Sequence, residues 1–168
     1  QNMVIYGTSA GGTLTAQTAV RLRQTGVPLP AALGFFTATA DLSSAGDSMA
    51  FFRVPGLAGA RTPQRGHNGL TQSLNISDPR DPAVSPFFTD LRGFPPTLCI
   101  AGTRDMLLSE TANFHRALLR ADVEAELIVF DALPHAHWYM VGIPEAIEAN
   151  EAAARFFVRA LSAHARAE

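Results

Sequence analysis

The sequence predicts an α/β fold: a mostly parallel sheet flanked by helices, interrupted by one irregular insertion. Three observations predict it. Short apolar runs at residues 4–6, 31–36 and 97–101 lack polar alternation, as strands covered on both faces do. Segments with helical periodicity alternate with them, giving strand, helix, strand units whose crossovers are right-handed. Between residues 42 and 84 every such period fails, in a stretch too long for a simple connection, which predicts a cap or lid over a site. At 168 residues, 47% hydrophobic and 17% charged, the chain suits one globular domain with a sizeable core. Its net charge of −2, with the basic residues scattered, steers it toward neither nucleic acid nor anionic lipid. No apolar run approaches the length of a membrane span, so a cytoplasmic protein is expected. The single cysteine, Cys99, excludes a disulfide within the chain and reads as an inert buried thiol.

Taken in order, Val4 to Tyr6 form the first strand. A helix from about Gly11 to Gln24 follows, with small residues at Thr13, Ala16 and Ala19 that let it lie close on a sheet, and Gly26 ends it. Pro28 and Pro30 lead into the second apolar run, which includes Phe35 and Phe36. The insertion then carries five glycines and four prolines (Gly46, Gly56, Gly59, Gly66, Gly69; Pro55, Pro63, Pro79, Pro82), with Phe51 and Phe52 placed to line a pocket or pack the cap onto the body. Beyond Pro95 and Pro96, Thr97 to Ala101 form a third buried strand. A helix from about Ser109 to Ala121 opens on Ser109 as cap and Glu110 as first-turn acid. Glu124 to Phe130 read as a fourth strand, and a last helix begins near Pro144, with Ile147, Asn150, Ala154, Phe157 and Leu161 at helical steps.

Chemistry concentrates where parallel strands end, because the loops leaving their C-terminal ends gather on one rim. Gly7-Thr8-Ser9-Ala10-Gly11-Gly12, after a strand and before a helix, has the form of a nucleophile elbow. Gly7, Gly11 and Gly12 are expected there because a Cβ would collide with strand or helix. Ala10 is expected to turn its N–H toward the space above Ser9, at a helix N-terminus that favours negative charge. Asp105 follows the third strand and His135 the fourth. A serine hydroxyl is a poor nucleophile at neutral pH until an imidazole takes its proton, and a carboxylate fixes the tautomer of that imidazole. Asp41 also follows a strand and competes with Asp105; His137 competes with His135. His67, His115 and His164 are expected in surface or packing roles. No His or Cys pair has metal-ligand spacing, so no metal is expected.

The order serine, acid, histidine, together with Gly7 to Gly12, Asp81-Pro82-Ala83-Val84-Ser85-Pro86, Pro95-Pro96-Thr97 leading to Gly102-Thr103-Arg104-Asp105, Leu107 with Glu110, and Pro134-His135, resembles the C-terminal half of a hormone-sensitive-lipase-like esterase of the α/β-hydrolase fold. The resemblance implies about the last four strands of that fold, with 42–84 as the cap. It also implies a serine carboxylesterase for short- to medium-chain acyl esters, with Ser9, Asp105 and His135 catalytic and no cofactor. Candidate pocket residues are Phe35, Phe36, Phe51, Phe52 and His137. Three positions depart from the family pattern: Thr8 and Ser109 stand where Asp is usual, and His137 where an aromatic is usual. The family's upstream oxyanion loop is also missing. The partners expected are therefore a small-molecule ester and an N-terminal half, as a separate chain or a segment outside these residues, with a homodimer allowed. Rival readings are an amidase or deacetylase on the same triad and a non-catalytic ligand-binding relative.

Overall fold

The protein, in a computed structural model, is described here over residues 2–44, 46–51 and 75–167. Four parallel strands stand in the order β1-β2-β3-β4, with β1 at Val4–Thr8, β2 at Ala32–Phe36, β3 at Thr97–Arg104 and β4 at Ala125–Pro134. Helix α1 (Ala10–Gln24) joins β1 to β2, and α3 (Leu108–Arg120) joins β3 to β4. Helix α4 (Pro144–Ala167) closes the chain. The short α2 (Asp47–Phe51) and a 3-10 turn at Pro86–Phe88 belong to the excursion between β2 and β3. Most of the expected cap, with Phe52, lies outside the described residues.

Strand alternation sorts the apolar side chains into two layers. On one face Leu33, Phe35 and Cys99 meet Ala16, Ala19 and Val20 of α1 and Phe114, Ala117 and Leu118 of α3. On the other, Ala32, Phe36, Leu98 and Ile100 meet Trp138 and Ala149, Ala153 and Phe156 of α4. Small residues on α1 let it approach the sheet as the sequence predicts. Phe35 stacks against Phe114 at 4.6 Å between ring centres. Burial of each such ring stabilises the fold by about 1.5 to 3 kcal/mol. The Cys99 thiol is buried in this layer, and desolvation pushes its pKa well above the ordinary thiol range.

Two details differ from expectation and both bear on the site. Strand β4 runs on past Phe130 to Pro134, with a register shift against β3 between Gly102 and Arg104. It therefore delivers His135 directly onto the rim. Helix α3 begins at Leu108 with Leu107 at its N-cap, and the Ser109 hydroxyl instead accepts the Ser48 N–H at 3.1 Å, tying α2 to α3. The Asp81 to Pro86 segment anchors the return from the excursion: buried Ser85 accepts the Leu42 N–H at 2.8 Å and donates to the Pro79 carbonyl at 2.6 Å.

Candidate active site

All four strands run the same way, so Ser9, Thr37, Asp105 and His135 each stand one residue beyond a strand end on the same rim. At the first position the chain reverses abruptly. Ser9 has φ 59° and ψ −122°, a conformation that a residue with a Cβ rarely adopts. Its N–H donates to the Phe36 carbonyl at 2.9 Å, and its carbonyl accepts the N–H groups of Gly12 and Thr13 at 3.0 and 3.2 Å. The hydroxyl is not spent on capping α1. A Cβ on Gly7 would lie 2.3 Å from the Gly11 carbonyl, and one on Gly12 would lie 2.6 Å from Ala38 Cβ, so both must lack one. The expectation for Gly11 needs correction: among the described residues nothing lies within 4 Å of a Cβ placed there, so no collision requires glycine at that position. Ala10 is exposed at the first position of α1, where a backbone N–H has no intrahelical acceptor.

At the other end of the rim, His135 Nδ1 lies 3.0 Å from Asp105 Oδ1. Asp105 is fully buried, and the same oxygen accepts the Leu107 N–H at 2.8 Å. Its other oxygen, Oδ2, accepts the hydroxyl of Thr37. An ionised carboxylate has no proton to give, so Nδ1 carries the hydrogen and Nε2 is left as the basic nitrogen. A second tie joins the two ends: Thr8 Oγ1 accepts the Trp138 indole N–H at 3.1 Å and lies 3.1 Å from the Tyr139 hydroxyl. The residue before Ser9 is thereby linked to the 3-10 turn at His137–Tyr139 that follows His135.

A model of the alpha/beta hydrolase fold family matches residues 1–139. The chain belongs to that family. Among curated proteins this α/β hydrolase is 29% identical to an esterase of Acinetobacter venetianus over 159 residues, covering 93% of this chain and 52% of the relative. It is 30% identical to an acetyl-hydrolase of Streptomyces hygroscopicus, covering 92% and 51%. Among solved structures, esterase E25 superposes with a TM-score of 0.77 at 33% identity, over 95% of this chain and 48% of the other. An esterase from the bacterial hormone-sensitive lipase family superposes with a TM-score of 0.76 at 29% identity, over 95% and 52%. The chain thus spans about half the length of the relatives it matches.

The remaining candidates separate clearly in this chain. Asp41 Oδ1 accepts the N–H and hydroxyl of Ser43 at 2.8 and 2.6 Å, so Asp41 stabilises its own turn. His137 is fully buried, with Phe130 at 4.7 Å and Trp138 at 5.0 Å between ring centres. Among the described residues neither of its ring nitrogens has a hydrogen-bond partner of normal geometry. Desolvation lowers its pKa below the ordinary value, opposed by the Pro134 carbonyl and by the charges of Asp105 and Glu145. Phe35 and Phe36, expected as pocket residues, are buried among the described residues in the two core layers that cover β2. Phe51 is 77% exposed at the end of α2.

Thr37 is the site residue that sequence reasoning missed. Nothing distinguishes it among the small and polar residues of Thr37-Ala38-Thr39-Ala40, and the only signal available was its place, one residue past a buried strand.

Proposed function

We propose that this α/β hydrolase is a serine carboxylesterase acting on short- to medium-chain acyl esters through Ser9, His135 and Asp105. One observation carries the reading. A buried carboxylate holds a histidine Nδ1 at 3.0 Å on the strand-end rim that also bears a serine at positive φ. Relatives named esterase and acetyl-hydrolase support ester substrates and a short acyl group. The similar structure of EstE5, soaked with p-nitrophenyl butyrate, supplies the choice of assay substrate.

In this mechanism His135 Nε2 takes the Ser9 proton as Oγ attacks the ester carbonyl. Negative charge that develops on the carbonyl oxygen is met by the Ala10 N–H at the start of α1. The imidazolium, steadied by Asp105, then gives its proton to the leaving alcohol. Water, activated by the same imidazole, attacks the acyl-serine ester, and the proton returns to Ser9 as the acid departs. One oxyanion donor is worth about 2.7 to 4 kcal/mol, so Ala10 alone would leave a weak enzyme. We therefore assign the remaining donors to an N-terminal half outside these residues, an assignment supported by the half-length match to the relatives.

In the complete protein, Ser9→Ala should cut hydrolysis of p-nitrophenyl butyrate by about 10⁴-fold or more while leaving the fold intact. Hydrolysis at the parental rate would overturn the assignment.

A further inference from the structure

We propose that Thr37 is a positioning residue of the Ser9, His135, Asp105 apparatus, its hydroxyl bridging the Asp105 carboxylate and the His135 imidazole at the end of β2. The inference rests on the serine-hydrolase reading above and extends it to a residue outside the triad.

Strand order makes such a bridge necessary. Ser9 leaves β1 and His135 leaves β4, so three strand spacings of about 4.8 Å each separate the two chain positions. The imidazole has to be drawn back across the ends of β3 and β2 to serve the serine. Asp105 holds it at the end of β3. Thr37, at the end of β2, is the next residue toward Ser9. Its Oγ1 lies 3.2 Å from His135 Nδ1, and the hydroxyl donates to Asp105 Oδ2. With its own proton directed at Asp105, Oγ1 presents a lone pair to the Nδ1–H, which is shared between Thr37 and Asp105 Oδ1.

The backbone has been bent to achieve this. Thr37 has φ 43°, in a region that β-branched residues rarely occupy, and it is fully buried. Its N–H donates to the Ile100 carbonyl at 2.7 Å, which fixes the turn against β3. Such an outlier is held in place by its surroundings, and here the surroundings are the two groups that the hydroxyl bridges. By donating to Oδ2, Thr37 completes the partners of a buried carboxylate that already accepts Leu107 N–H and His135 Nδ1–H on Oδ1.

Two consequences follow for the reaction. The carboxylate and ring keep one orientation, which favours turnover more than substrate binding. The hydroxyl also disperses part of the Asp105 charge, so its removal leaves a carboxylate that holds the imidazolium more tightly. Among the described residues Asp105, at the end of β3, contacts the ring, and His137, two residues along, feels the charges of Asp105 and of Glu145 on α4; none is altered by a substitution at position 37.

The test compares Thr37→Val, Thr37→Ala and Thr37→Ser in the complete protein, with p-nitrophenyl butyrate as substrate and Ser9→Ala as control. Thr37→Val should lower kcat about 10- to 100-fold, the range for a lost hydrogen bond to a charged group, with KM little changed. The acid limb of its kcat/KM profile should move to higher pH, and Thr37→Ser should recover most of the lost kcat. If Thr37→Val melts below the assay temperature, Thr37→Ala carries the same comparison. Parental kcat in the hydroxyl-free variant would overturn the inference, as would an unmoved acid limb or a Thr37→Ser enzyme as impaired as Thr37→Val. Activity retained by Ser9→Ala would instead overturn the underlying reading, so the two failures are distinguishable.

Discussion

His135 and His137 stand two positions apart, yet one meets Asp105 and the other is enclosed by Phe130 and Trp138. The residue between them decides this. Ala136 takes the left-handed conformation, φ 58° and ψ 34°, so the chain turns sharply after the first histidine and tucks the second into the core. No propensity marks an alanine for that conformation, so the sequence favoured His135 by its place after the strand and by family resemblance, while His137 stayed a competitor. The buried member has a thermodynamic signature. Desolvation holds its folded-state pKa below the 6.5 of a free histidine. As pH falls from that value toward the depressed one, the unfolded chain takes up a proton that the folded chain refuses, so stability is lost across the interval and levels off beneath it. His137→Phe, which keeps a ring against Phe130 and Trp138, should abolish this contribution. Urea melts at pH 7 and pH 5 should show the variant gaining on the parent as pH falls. A gap of constant size would refute the assignment of a neutral, buried imidazole.

At the scale of elements, the strand-to-helix reversal was legible because its requirements are written in residue types. A carbonyl of α1 occupies the place of a Gly7 side chain, and no other residue tolerates backbone at 2.3 Å. Gly7→Ala should therefore displace the start of α1 relative to β1. Labelling of Ser9 by a fluorophosphonate should slow by about 100-fold or more, the scale expected when a reacting group is misplaced by about 1 Å. A soluble Gly7→Ala protein that labels at the parental rate would contradict the close approach. The two buried parallel strands, β2 and β3, were legible for a related reason, since a continuous apolar run suits a strand covered on both faces; β1 reads the same way in sequence, yet none of its residues is buried among the described residues. Strand β4 was harder to read. Its later half carries Asp131 and an Ala132 at φ 58°, where the pairing with β3 shifts register, and neither the charge nor the irregularity looks like a strand. Its partners across the sheet supply what local pattern does not. The bridge at Thr37 was illegible for the same reason: its meaning lies in Asp105 and His135, residues far along the chain.

For the whole molecule, β1 is the element with most at stake. Among the described residues it pairs only with β2, and Met3 and Tyr6 are more than half exposed beside its open edge. Leu14 on α1 and Tyr139 after His135 are exposed as well. Open strand edges flanked by apolar side chains invite association. Prepared alone, the 168 residues should bind a dye such as ANS and sediment as more than one copy. Supplying the proposed N-terminal half should suppress both signals and raise esterase activity together. A monomeric, dye-silent preparation of the 168 residues would count against that half as the missing cover.

Cys99 has a practical corollary. Its thiol is the chain's only one and is sealed between the sheet and its helices, in a setting that keeps it protonated. Maleimide reagents should therefore find no target on these 168 residues in the folded state. A cysteine introduced in place of the solvent-facing Phe51 would be modified alone, and a fluorophore attached there could report movement near α2 without competing background.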